Sequence, residues 1–246
     1  MNDHGPGDQG LFPPTAWSRI VAVAANGKEA REALEDVCRR YWHPARKFLR
    51  SLGCSEHDAE DLTQRFFARW ARPENFEHLD PSRGRLRSYL KQSLRREFIN
   101  HWQKSQAARR DAITISLDDP DSPDPSDPAT SSADWTYDAA WAEAVVAAAV
   151  QRLRNEYLSR NRASLFDAIL PALPTGGDLK PYAEIAVSTG MTEPQIKLEI
   201  HRIRRRFAER LREEVAGTLA DSSDLEDELR HLLTVMARTG VASHGA

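Results

Sequence analysis

The chain has 246 residues, 29% of them charged, with a formal net charge of −3. That length suits one large domain or two small ones, and near-neutrality over the whole chain argues against a nucleic-acid partner. The charge is unevenly placed, however: residues 31–110 carry 18 basic and 11 acidic side chains, residues 111–138 carry none and 8, and residues 192–214 carry seven and five, so neutrality is a cancellation between blocks.

Residues 1–30 form a polar N-terminal extension, and residues 31–110 read as a helical lobe. Ser55-Glu56-His57-Asp58 fits a helix-capping box, a serine followed three residues later by a carboxylate. After it Ala59, Leu62, Phe66, Phe67 and Trp70 recur at helical spacing on one face, with Asp61, Gln64, Arg65 and Arg69 away from it. Pro73 closes the segment, and Asp80 to Gly84 reads as a turn. A long helix is then expected from about Arg85 to Arg109, with Leu86, Leu90, Leu94 and Phe98 as its apolar stripe. Residues 111–138 hold four prolines, eight aspartates and no basic residue, and read as a flexible acidic linker.

A second helical lobe is expected over residues 139–214. Val146, Val150, Leu153 and Tyr157 form one stripe; Leu165, Phe166, Ile169 and Leu170 form the next. A short helix holds Tyr182, Ile185 and Ala186, followed by Gly190 and a capping box at Thr192-Glu193-Pro194-Gln195. Ile196, Ile200, Ile203, Phe207 and Leu211 then give spacings of 4, 3, 4 and 4. Residues 215–246 are a C-terminal extension whose helix, Ser223–Met236, carries Leu225, Leu229, Leu232 and Met236 on one side. The fold class is therefore all-α: two helical domains joined by a flexible acidic linker.

A short helix, a glycine turn and a capped second helix make a helix-turn-helix pattern, whose second helix enters the major groove. The face opposite Ile196, Ile200 and Ile203 holds Pro194, Lys197, Leu198, His201, Arg202 and Arg205. Lys197 and Arg202 suit phosphate or guanine and Leu198 a thymine methyl, while Arg204 and Arg206 flank the face and suit phosphates. A solvated basic helix in an ordinary bundle is the plainer reading.

Residues 83–110 hold nine cations against Glu97 alone, with Tyr89, Phe98 and Trp102 among them. Cations along a backbone with interleaved rings suit single-stranded nucleic acid; the duller reading puts Phe98 in the core and the cations in solvent. Asp58, Glu60 and Asp61 could be taken for a nuclease metal site, but carboxylates in a first helical turn are also expected from the helix dipole. No ligand spacing among the eight histidines, no phosphate loop and no nucleophile motif argue for an enzyme, a cofactor or a metal. Cys38 and Cys54 fit a reduced interior. No signal peptide and no membrane segment are read in the sequence, so a cytoplasmic location is expected.

Asp58-Ala59-Glu60-Asp61-Leu62-Thr63-Gln64 resembles the motif of region 2.2 in sigma-70 family RNA polymerase sigma factors. Arg85 to Arg110 resembles regions 2.3 and 2.4, and Tyr182 to Arg206 resembles region 4.2. Together they resemble the small extracytoplasmic-function type, with regions 2 and 4 only. Thr15-Ala16-Trp17-Ser18 and the C-terminal helix also look like one subgroup. The resemblance implies a region 2 helical bundle, a region 4 helix-turn-helix and no catalysis. It implies docking of Asp58, Asp61, Leu62, Gln64 and Arg65 on the β′ coiled coil of core RNA polymerase, although the family usually has an acidic residue where Arg65 stands. It implies that Arg83, Arg87, Lys91, Arg95, Arg96, Asn100 and Trp102 handle the melted −10 element of promoter DNA. Pro194, Gln195, Lys197, Leu198, His201, Arg202 and Arg205 would read the −35 duplex. The β subunit and an anti-sigma factor are further implied partners. An autonomous helix-turn-helix regulator that never touches polymerase is the alternative.

Overall fold

The computed structural model describes residues 28–72, 85–112, 128–174, 177–219 and 222–239. Among them are eight α-helices, two 3-10 turns and no strand, so the fold is all-α. The Thr15–Ser18 segment, Arg83 and its turn, and residues 113–127 of the expected linker lie outside the described residues.

Helix α1 (Lys28–Ser51) buries Val37, Tyr41, Ala45, Phe48 and Leu49, one side of the helix. Gly53, at φ 100°, turns the chain towards α2 (Glu56–Trp70). Ser55 caps α2: its hydroxyl oxygen accepts the Asp58 N–H at 3.0 Å. The expected stripe from Ala59 to Trp70 is buried, and Phe66, Phe67 and Trp70 meet edge to face. Helix α3 (Leu86–Ala112) buries Leu86, Leu90, Leu94 and Phe98 against these two.

Helix α4 (Pro128–Leu158) departs from expectation. Its first eleven residues, 128–138, fall inside the segment read as linker. Proline suits the first helical position, and beyond it Ala133, Tyr137, Trp141, Val145, Ala149, Leu153 and Tyr157 form one buried row at intervals of four. That row crosses the expected boundary. Composition concealed it, because aspartates and serines fill the positions between. At 1.5 Å per residue α4 is about 46 Å long. It packs on α1 and on later helices, the last of them (Leu225–Thr239) through Trp135, Asp138 and Trp141. Tyr137 meets Phe48 edge to face, and burial of Tyr137 and Trp141 contributes on the order of 4 kcal/mol each.

Helix α5 (Ala163–Ile169) and a 3-10 turn at Leu170–Ala172 lead to α6 (Tyr182–Thr189) and α7 (Glu193–Ala216). Helix α8 (Leu225–Thr239), preceded by a 3-10 turn at Ser222–Asp224, lays Leu225, Leu232, Val235 and Met236 on α4 and α7. One apolar cluster runs from α1 through α4 to α8. The two lobes expected from the sequence thus share α4 and a continuous core.

Candidate nucleic-acid interface

Gly190 ends α6 at φ 67°, a left-handed position that favours glycine, and its N–H and that of Met191 both reach the Ala186 carbonyl. The turn aims α7 outward. Gln195 Oε1 accepts the Thr192 N–H at 2.8 Å, so one residue expected to read DNA serves the cap instead. Ile196, Ile200, Ile203, Phe207 and Leu211 are buried, which leaves Pro194, Lys197, Leu198, His201, Arg202 and Arg205 exposed on the far side. Leu198 is 49% exposed, an apolar side chain in the middle of a cationic face.

The arginines of α7 divide by partner. Arg202 donates to Glu199 at 2.8 Å, and Glu199 is itself buried beneath Tyr157 and Arg162. Arg205 lies 3.5 Å from Glu209, with both side chains mostly in solvent. Arg204 donates to the Ala172 carbonyl at 3.0 Å and Arg206 pairs with Glu156, so the two arginines expected to reach phosphates anchor α7 to its own lobe.

The cations of α3 divide more sharply. Arg87 is only 5% exposed. Its Nε and Nη2 donate to Glu228 Oε1 and Oε2 at 2.9 and 3.3 Å, and its Nη1 donates to Asp138 Oδ1 at 2.6 Å. Arg85 Nη1 reaches Glu228 Oε2 at 2.9 Å, Lys91 Nζ reaches Asp138 at 3.3 Å, and Arg95 Nη2 reaches Asp134 at 2.7 Å. His231 Nε2 lies 3.4 Å from Asp138 Oδ2. Burial alone would raise the Asp138 carboxyl; His231, Arg87 and Lys91 outweigh it and hold it at about 2. Arg87, Lys91 and Arg95, expected to handle DNA, thus all turn inward in this arrangement, onto α4 and α8. Sequence reading missed Asp134, Asp138 and Glu228 as their partners. The i, i+4 spacing of the two aspartates, matching that of the three cations, was the available signal.

The opposite face of α3 is open. Tyr89, Gln92, Arg96, Asn100 and Gln103 are exposed along it. Arg96, Asn100, Tyr89 and Ser93 line a cleft of about 300 Å³ with Phe66 and Trp70 of α2 as its apolar wall. Arg69 and Glu97, paired at 2.5 Å, bridge the two helices beside it. Phe98 is core, and Trp102 is half-buried.

On α2, Asp61, Gln64 and Arg65 are exposed and Asp58 is half-buried at the cap. The hydrogen bond from Ser55 Oγ, at 2.6 Å, holds the Asp58 carboxyl below its ordinary value. Arg65 Nε donates back to the Asp61 carbonyl at 3.3 Å. Leu62 is 1% exposed and belongs to the core, which corrects its assignment as a surface contact; its place in the i, i+3, i+4 stripe with Ala59 and Phe66 demands it.

Residues 37–108 match the Sigma-70 region 2 family model. The match runs from Val37 in α1 through α2 to residue 108 in α3, and includes the outward face of α3 and the polar face of α2. It supports a sigma-70 family factor, a class that acts in transcription initiation with RNA polymerase core and promoter DNA. No curated protein and no solved structure matches the chain. Among the described residues no cluster of three His, Cys, Asp or Glu is placed to hold a metal ion, and no helix is long and apolar enough to cross a membrane.

Proposed function

We propose that the chain is a sigma factor of the extracytoplasmic-function type, using a region 2 and a region 4 to direct core RNA polymerase to promoters. The region 2 match, which falls on helices with an open polar face on α2 and an open face on α3 that carries Arg96 and Asn100, carries the reading. Asp58, Asp61, Gln64 and Arg65 dock on the β′ coiled coil. Arg96 and Asn100, beside the α3 cleft, handle melted −10 DNA: the guanidinium neutralises phosphate, the amide pairs with a base edge, and the exposed Tyr89 offers its ring to an unstacked base. Lys197, Leu198, His201 and Arg202 on α7 read the −35 duplex in the major groove. The protein catalyses nothing itself. It works in the cytoplasm, where it lends sequence specificity to polymerase and favours strand opening by capturing single-stranded DNA.

A pull-down with bacterial core RNA polymerase tests the reading. The wild-type chain should comigrate with core. Asp61→Ala should weaken that association about 10-fold without changing the melting temperature, since Asp61 is exposed. Equal holoenzyme formation by the variant would refute the assigned docking face.

A further inference from the structure

We propose, resting on the sigma-factor reading in which α7 reads the −35 duplex, that Glu199 is a positioning residue: it fixes Arg202 so that one edge of the guanidinium meets a guanine.

A carboxylate on a helix that faces a polyanion needs a reason. Glu199 lies within one turn of Lys197, His201 and Arg202, yet it is only 5% exposed. A buried carboxylate is costly unless paired, and an apolar side chain would fill the same place without that cost. Its partners come from three places in the lobe. The Tyr157 hydroxyl, near the end of α4, donates to Oε2 at 3.5 Å. Arg162, which precedes α5, brings Nη2 to 3.4 Å from Oε1, and its guanidinium lies over the Tyr157 ring, 5.8 Å from the centroid. Arg202, three residues on along α7, donates from Nη1 to the same Oε1 at 2.8 Å. The lobe holds the carboxylate, and the carboxylate holds one end of the Arg202 guanidinium.

The other end is the reading group. The Arg202 side chain is 52% exposed although Nη1 is engaged. No described residue bonds to its Nε or Nη2. These two donors share one edge of the planar guanidinium and match O6 and N7 of guanine in the major groove. Adenine presents a donor where guanine presents O6, so the same fork rejects it. An arginine already fixed at Nη1 loses less rotamer freedom on making the base contact. Glu199 also offsets its charge, which weakens the pull of neighbouring phosphates.

The other cations of this face have no such hold. Lys197 lies over the Tyr182 ring at 5.8 Å, and Arg205 faces Glu209 at 3.5 Å with both side chains mostly in solvent. Both suit phosphates. Of the three, Arg202 is the one fixed by a buried acid.

The test uses templates built on one start site that the full-length chain confers on core polymerase, with each −35 base pair changed in turn. The ratio of transcript between two templates does not depend on the fraction of active protein, so a loss of folding alone leaves it unmoved. The wild type should favour guanine at one base pair about 10-fold, and Arg202→Ala should bring that ratio close to 1. Glu199→Ala should lower the ratio at the same pair to about 2, with the other pairs unchanged. Glu199→Gln, whose amide oxygen still accepts from Arg202, should retain most of it. Combined with Arg202→Ala, Glu199→Ala should change the ratio no further. If Glu199→Ala does not fold, judged by circular dichroism, Glu199→Met fills the same place without the oxygens and is read in its stead. A ratio kept by the Glu199 variants while transcript falls equally on every template overturns the positioning role and leaves the sigma-factor reading standing. The same holds for a ratio that Arg202→Ala leaves unchanged. Absence of any start site conferred by the chain overturns that reading, and the role of Glu199 with it.

Discussion

Helices α3 and α7 are both basic and amphipathic, yet they place their cations in opposite ways. On α7 the buried arc holds Ile196, Ile200 and Ile203 with Glu199 but no cation, and Lys197, Arg202 and Arg205 stay at the surface. On α3 the stripe admits a cation. At 100° per residue Arg87 falls between Leu94 and Phe98 within the buried arc, and Lys91 and Arg95 follow at its edge. The number of cations in a helix therefore does not count its nucleic-acid contacts. Their angle from the apolar stripe, together with the presence of matching carboxylates elsewhere, decides which remain available.

Breaking the inward set should have the largest effect on stability. Arg87→Ala leaves Glu228 and Asp138 buried with weakened compensation, at a cost of about 3–5 kcal/mol. Denaturant unfolding should show it, whereas Arg205→Ala, on the exposed side of α7, should stay within about 0.5 kcal/mol. Equal destabilisation by the two would erase the distinction between the helices.

Acid should act on the same inward set. The folded Asp138 carboxyl sits at about 2, below the ordinary 3.8, so its contribution is complete above pH 4 and fades as pH falls towards 2. The groups facing it are Arg87 and Lys91 on α3, His231 and Glu228 on α8, and Asp134 on its own helix. Unfolding curves of the wild type and Asp138→Asn should differ by about 2 kcal/mol at pH 7 and converge as pH falls through about 2. A gap undiminished at pH 2 would remove Asp138 ionisation from the account of the inward set.

The outward set should govern DNA and not stability. Lys197→Ala should lower −35-dependent transcription about 10-fold, on the order of 1 kcal/mol, while core binding and melting temperature are kept. Loss of core binding by this variant would contradict its placement in the DNA face.

Much of this was legible in the sequence, because local rules and tertiary packing agree. The caps at Ser55 and Thr192, the glycine at position 190, and the stripes of α2, α3 and α7 follow from spacing alone. Two features were hidden for physical reasons. The start of α4 was masked by composition: aspartates that extend a free chain become pairing partners once Ala133, Tyr137 and Trp141 bring them against α3. The inward turn of Arg87 depends on Glu228, 141 residues away, a contact no local pattern reports. The C-terminal stripe was readable as an amphipathic helix suited to pack on the second lobe, and the fold lays it on α4 and α7.

The most direct test of the central claim is in vitro transcription with core RNA polymerase and the full-length chain on a library of genomic fragments. The account predicts defined new start sites that core alone does not use. These sites should share a common −10 and −35 pattern and be lost together with Arg96→Ala. A chain that binds DNA fragments yet leaves the start sites of core unchanged would contradict it, and would identify a helix-turn-helix regulator that works without polymerase.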